Sequence, residues 1–339
     1  MHQILLALAA IYLTRQPMIG ITPNVTSNGG GDELVKNLLW CREHRLTLLH
    51  MAVNWNDIES SVGFNKVVKD ISDAAKFGFT PIVTIETINT VKREVPADLM
   101  TEAWDSPKMR FRFDTLLAKF VRALPENYSL ISLGNEVDAY LSIRSVEVGP
   151  YISFLSEGRR LIHQMRPGMK VGITTTFDGL RFRPLLVDKL QQGMDVFCET
   201  YYPLNPDWTV RSVHEVKPDM NLTYQSAKGR PVYFQEAGYP ASEAIGSSEP
   251  KQADFVDAVF TQARYHSAQT FGVIFFILTD FSAAMMDTFA KYYAVDSSNF
   301  RACFGSLGFR SSVGRDKLAV SHLVQQMNGS WGATLLSNN

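Results

Sequence analysis

Ile131-Ser132-Leu133-Gly134-Asn135-Glu136 is an apolar run that reads as a buried strand and stops at a glutamate. Val232-Tyr233-Phe234-Gln235-Glu236 does the same 100 residues later. A carboxylate at the end of a core strand is costly to place unless it has a partner or a task. Two strands ending alike point to one repeated architecture that presents both acids on the same face.

Strand-like and helix-like segments alternate on either side of these runs. The strands read as 18–22, 45–53, 81–85, 128–135, 171–175, 196–200, 232–235 and 271–278. Helical periodicity follows each of them, at 32–44, 67–76, 106–124, 151–165, 185–192, 212–228, 252–266 and 317–327. Ser106-Pro107 is a helix start, with a cap and then proline at the first helical position. Gly78 is a helix stop. Alternating units imply a parallel sheet, and eight of them imply a closed (β/α)8 TIM barrel whose site lies at the C-terminal strand ends. An open doubly wound sheet fits less well. Asn28-Gly29-Gly30-Gly31 lacks the GxGxxG spacing, and no acid ends the second strand. A barrel of roughly 250 residues allots about 31 to each unit. The two glutamates therefore sit three units apart, on the fourth and seventh strands.

The barrel is expected to occupy residues 17–330 as a single domain, with a tail at 331–339. Residues 4–13 are apolar, too few to span a bilayer. The segment 1–16 reads as signal-like, giving a secreted or periplasmic protein, or as a plug under the barrel, which leaves a cytoplasmic location open. Asn24, Asn127, Asn221 and Asn328 head glycosylation sequons. A net charge of -1 gives no footprint for nucleic acid or an anionic membrane. The three cysteines, Cys41, Cys198 and Cys303, have neither disulfide-framework nor metal-ligand spacing.

Glycosidic bond cleavage needs one carboxylic acid and one carboxylate, and Glu136 and Glu236 can supply them. The acid must keep its proton near neutral pH while its partner stays ionised. Asn135 is placed to bond a sugar hydroxyl. Glu199-Thr200-Tyr201-Tyr202-Pro203 puts a tyrosine hydroxyl where it can hold the strand-seven carboxylate ionised. Glu59, Glu86, Asp138, Asp178, Glu199 and Asp280 compete for the same face, and Glu86 and Asp280 also end strands. Trp55, Trp208, Tyr239 and Phe281 are candidate sugar platforms, with Tyr292 and Tyr293 in the long connection at 282–316.

The chain resembles the clan A glycoside hydrolases, retaining enzymes on a (β/α)8 barrel. Gly134-Asn135-Glu136 looks like their acid/base motif. Gln235-Glu236-Ala237-Gly238-Tyr239-Pro240 looks like their nucleophile motif and is similar to the Glu-Thr-Gly-Tyr-Pro of the family 53 endo-galactanases. Thr200-Tyr201-Tyr202-Pro203 resembles the strand-six tyrosine motif of that group, which implies Tyr202, then Tyr201, as the functional tyrosine. Gly305-Ser306-Leu307-Gly308-Phe309 with Gly314-Arg315-Asp316-Lys317, and Trp55 with Ile58-Glu59 and Gly63, match further clan patterns. The likeness implies a β-linked poly- or oligosaccharide substrate, double displacement with carboxyls about 5–5.5 Å apart, and no metal or organic cofactor. Two departures stand out. The strand-eight run Phe275–Phe281 has no tryptophan, and His50 is the only basic candidate on strands two and three. The missing tryptophan supports an alternative, a non-catalytic carbohydrate-binding barrel. A metal-dependent lyase or isomerase is a further alternative and would need three converging ligands.

Overall fold

The computed structural model describes residues 17–26, 28–126 and 128–329. The signal-like segment 1–16, the tail 331–339 and the sequon at Asn127 lie outside the described residues. Eight parallel strands form a nearly closed barrel: β1 Met18–Ile21, β2 Leu48–Asn54, β3 Thr80–Asn89, β4 Leu130–Asn135, β5 Lys170–Thr176, β6 Val196–Tyr201, β7 Val232–Ala237 and β8 Thr270–Phe275. Each pairs with its sequence neighbour from β2 round to β8, and β8 pairs with β1. The seam between β1 and β2 carries no ladder. There the strands approach at Gly20, where a Cβ would lie 1.9 Å from the Leu48 carbonyl oxygen.

One principal helix follows each strand: α1 Gly31–Glu43, α2 Ser61–Lys76, α3 Pro107–Ala123, α4 Ser145–Met165, α5 Pro184–Gln191, α6 Val216–Ser226, α7 Glu249–Tyr265 and α8 Leu318–Asn328. Ser60, Ser106 and Ser248 cap α2, α3 and α7 through their hydroxyls. The outward faces of the strands pack on these helices in two large apolar clusters.

Inside the barrel, alternation sorts the side chains into layers. Leu48, Ile82, Leu130, Val196, Cys198, Tyr233 and Ile274 fill the bottom. A polar collar lies above them. Gln235 Oε1 accepts from Thr84 at 2.6 Å and from Thr174 at 2.7 Å. Ser132 meets Thr174 at 3.0 Å, and His50 Nε2 meets Thr84 at 3.0 Å. Thr84 gives its one proton to Gln235, so His50 donates from Nε2. Burial pushes the imidazole down to about 4, so it stays neutral. His50 therefore belongs to the collar rather than to the mouth.

Candidate active site

Both glutamates reach the mouth through a break in strand regularity. In β7, Phe234 packs under the helices and Gln235 points inward, so simple alternation would send Glu236 outward. A bulge intervenes. Glu199 pairs with Phe234, but the next residue, Thr200, pairs with Glu236. The skipped residue re-aims the following side chain. In β4 the same result comes from backbone conformation. Gly134 has φ 112° and Glu136 has φ 47°, in the left-handed region that costs a side-chain-bearing residue about 1 kcal/mol or more. A Cβ on Gly134 would lie 2.6 Å from the Tyr151 hydroxyl and 2.7 Å from Val137 Cγ1.

These two devices bring the motifs together across the barrel. Gln235 Nε2 donates to Asn135 Oδ1 at 2.7 Å, so the residues preceding the two glutamates are bonded directly. Glu136 accepts from Thr90 Oγ1 at 2.7 Å and from Thr200 Oγ1 at 2.6 Å. Thr200 is the register partner of Glu236. Tyr202 Oη donates to Glu236 Oε2 at 2.5 Å.

Burial raises the pKa of both carboxyls. Glu236 is pushed up to about 8 by burial and then by the charge of Glu136, against the pull of the Tyr202 hydroxyl. Glu136 is raised by burial, with Asp178 adding to the shift and Thr200 and Thr90 opposing it. The two share one low-dielectric site and titrate as a pair. Thr90 and Thr200 donate to Glu136 and Tyr202 donates to Glu236, so hydroxyl groups favour the anion at both carboxyls.

Sequence reasoning ranked Glu86 only as a competing acid, yet it belongs to this mouth. It is 6% exposed and accepts from Asn89 Nδ2 at 3.1 Å. Burial and then the charge of Glu236 push it up to about 8. Its inward register, two residues after Thr84, was the available signal. The other competing acids have structural partners. Glu59 takes bonds from Trp55 Nε1 and Arg112, Asp138 caps the backbone and hydroxyl of Thr176, and Thr223 donates to Glu199 beneath α6. Asp280 pairs with Lys317 Nζ at 2.8 Å and accepts from the Gly308 backbone.

The aromatic expectations divide. Tyr202 is in the mouth, and the Phe276 ring lies edge-on to it at 6.1 Å. Phe281 packs 5.9 Å from Phe276, at the rim. Trp208 lies against Phe300 and Phe304. Tyr201, Trp55 and Tyr239 are corrections, because all three are fully buried among helices. Tyr201 alternates outward and donates to Asp219, Trp55 packs on Phe113 and Phe154, and the Tyr239 hydroxyl donates to the Arg211 carbonyl. The amide of Asn24, the first residue of a sequon, is spent on both backbone groups of Thr279.

Helices Ala283–Tyr293 and Ser298–Phe304 form a roof over the mouth. Tyr292 Oη donates to the Asn89 carbonyl and to Glu94, each at 3.1 Å, on the β3 side. Tyr293 bonds Thr90. Burial and the charges of Glu136 and Glu236 keep its phenol protonated. Among the described residues, no three His, Cys, Asp or Glu side chains are grouped to hold a metal ion. No described helix is long and apolar enough to cross a membrane.

No protein-family model matches the sequence, and neither does any curated protein. Solved structures do match in fold. A GH5_18 protein from Bifidobacterium longum subsp. longum, in complex with Manβ1-4GlcNAc, superposes with a TM-score of 0.71 at 14% identity, covering 94% of this chain and 79% of that one. An exo-β-1,4-mannosidase from Opitutaceae bacterium strain TAV5 gives 0.74 at 17% identity, covering 95% and 61%. A GH5_18 protein from Streptomyces cattleya in complex with GlcNAc gives 0.72 at 15%, covering 93% and 80%. None of these three is described as a family 53 protein or an endo-galactanase, so the narrower likeness to that family gains nothing from them. The chain shares its (β/α)8 barrel with glycoside hydrolases of the clan A kind.

Proposed function

We propose that the protein is a retaining glycoside hydrolase acting on a β-linked oligo- or polysaccharide. The carrying observation is the pairing of Glu136 and Glu236 across one mouth, through the Asn135–Gln235 bond and Thr200. Glu136 protonates the glycosidic oxygen as the bond to the leaving group breaks. Glu236 attacks the anomeric carbon, and a covalent glycosyl-enzyme forms. Glu136, now ionised, takes a proton from water, which attacks that carbon and releases Glu236. Asn135 has one amide hydrogen left after bonding Asn89, and it supplies a donor for a sugar hydroxyl. One structural neighbour is in complex with a β-mannosyl disaccharide, which makes β-mannosides a natural first panel.

The test is a pair of variants. Glu236→Ala is expected to lose turnover by roughly 10⁴-fold with its circular dichroism unchanged. Glu136→Ala is expected to retain much more activity on aryl glycosides with good leaving groups than on natural glycans, and added azide should restore turnover. Normal activity in the first variant, or equal loss on both substrate types in the second, overturns the assignment.

A further inference from the structure

The mouth holds one carboxyl more than double displacement uses. Glu86 follows Thr84 on the inward face of β3 and is more than nine-tenths buried. A directed chain of amides leads to it. Gln235 donates to Asn135 at 2.7 Å, Asn135 to Asn89 at 3.1 Å, and Asn89 to Glu86 Oε2 at 3.1 Å. The chain runs beside both glutamates of the pair and ends on the third acid. The other oxygen, Glu86 Oε1, takes no hydrogen bond from any described residue.

The charges of Glu236, Glu94, Glu136 and Asp57 act on Glu86, and it forms no ion pair with a described residue. Lys92, a few residues along the chain, lies 3.3 Å from Glu94 and sits over the Tyr292 ring at 4.1 Å. Without a counter-charge in contact, burial and the neighbouring acids hold the Glu86 carboxyl protonated near neutral pH. Ionising it alone would add a third negative charge that favours the protonated, inactive form of the nucleophile. A substrate that brings a cation lets Glu86 ionise without that penalty. The rings of Tyr202, Phe276 and Tyr293 border the same space, and aromatic faces with carboxylates are suited to an ammonium group.

We propose that Glu86 selects the substrate, and that the sugar lodged against it carries a free amino group, bound as ammonium between Glu86 and the carboxyl pair. This rests on the barrel mouth being the sugar site. Ammonium N–H groups donate to the open oxygen of Glu86 in a charge-assisted bond. N-acetylation would remove the charge and leave the acid unmatched.

The test is a binding comparison on the full chain at pH 7. Methyl β-glucosides carrying an amino group at C2, C3 or C6 are titrated by calorimetry against their N-acetylated forms and the parent methyl β-glucoside and β-mannoside. At least one amino sugar is expected to bind about 10–100-fold tighter than its N-acetylated and parent forms. Glu86→Gln should bring that ratio close to one. Equal binding throughout, a preference for the neutral sugar, or a preference that survives Glu86→Gln overturns the proposal. The comparison of amino and N-acetyl sugars on the unaltered protein decides the matter even if the variant does not fold. Turnover of the aryl glycosides is scored separately. Amino-sugar preference without any hydrolysis defeats the hydrolase reading alone, and hydrolysis without preference defeats this one alone.

Discussion

Glu236 is required as an anion in a place that disfavours anions, and a single phenol tips the balance. Burial and Glu136 raise its pKa, and the Tyr202 hydroxyl at 2.5 Å lowers it. Removing the lowering influence leaves the carboxyl protonated to higher pH. In Tyr202→Phe the acidic limb of kcat/KM should therefore move upward by about one to two pH units, with the basic limb less affected. A pH–rate profile of the variant checks this, and an unmoved acidic limb refutes the role. Tyr202 and its neighbour Tyr201 show what a sequence reveals at this scale and what it conceals. A tyrosine after strand six was legible, but period-two alternation decides which of two adjacent rings faces the mouth, and its phase is set by which β6 residues turn inward, Thr200 inward and Tyr201 outward. Trp55 and Tyr239 failed for a related reason. An aromatic residue near a strand end can serve the helix layer as well as the mouth, and composition does not distinguish the two.

Among the elements, β4 and β7 deliver their acids by different irregularities, a left-handed turn at Gly134–Glu136 and a bulge at Gln235–Glu236. Apolar runs ending in glutamate announced the strands, but the left-handed turn at Gly134–Glu136 was not read from them. The bulge left no signal, because it is defined by pairing with a strand far away in sequence. The short helices Trp55–Ile58, Val137–Leu141 and Phe177–Phe182 also escaped notice. Four to six residues do not display a 3.6-residue period. The turn in β4 is sensitive to one methyl group. Gly134→Ala combines a positive φ with contacts at 2.6 and 2.7 Å. It is expected to destabilise the fold by about 1–3 kcal/mol. By displacing Glu136 it should also lower kcat by about 10²-fold. Thermal unfolding and steady-state kinetics separate the two effects, and near-normal kcat would show that the carboxyl position tolerates the shift.

Across the whole molecule, the eightfold alternation was readable because each unit is local. The number of units implied the closed barrel, whereas the helices of the roof rest on distant contacts and were not read. Asp280, a rival acid in the sequence, instead anchors the roof segment to the barrel. Its bond to Lys317, both residues well buried, closes the long connection from 282 to 316, and Gly308 fits against it where a Cβ would lie 2.1 Å from the Asp280 nitrogen. Lys317→Met strands a buried carboxylate and should cost about 3–5 kcal/mol. The melting temperature should drop, and limited proteolysis should cut first between residues 282 and 316. Cleavage elsewhere would mean that the roof is held by its aromatic contacts instead.

The unladdered seam where Gly20 meets Leu48 has a mechanical meaning. Among the described residues, seven of the eight joints between staves are stitched by amide hydrogen bonds, and this one is held by close contact. Parting it ruptures no inter-strand stitch, so the hoop breathes there first. Solvent deuterons then enter the barrel wall along β1 and β2 before they reach the stitched joints around the carboxyl pair.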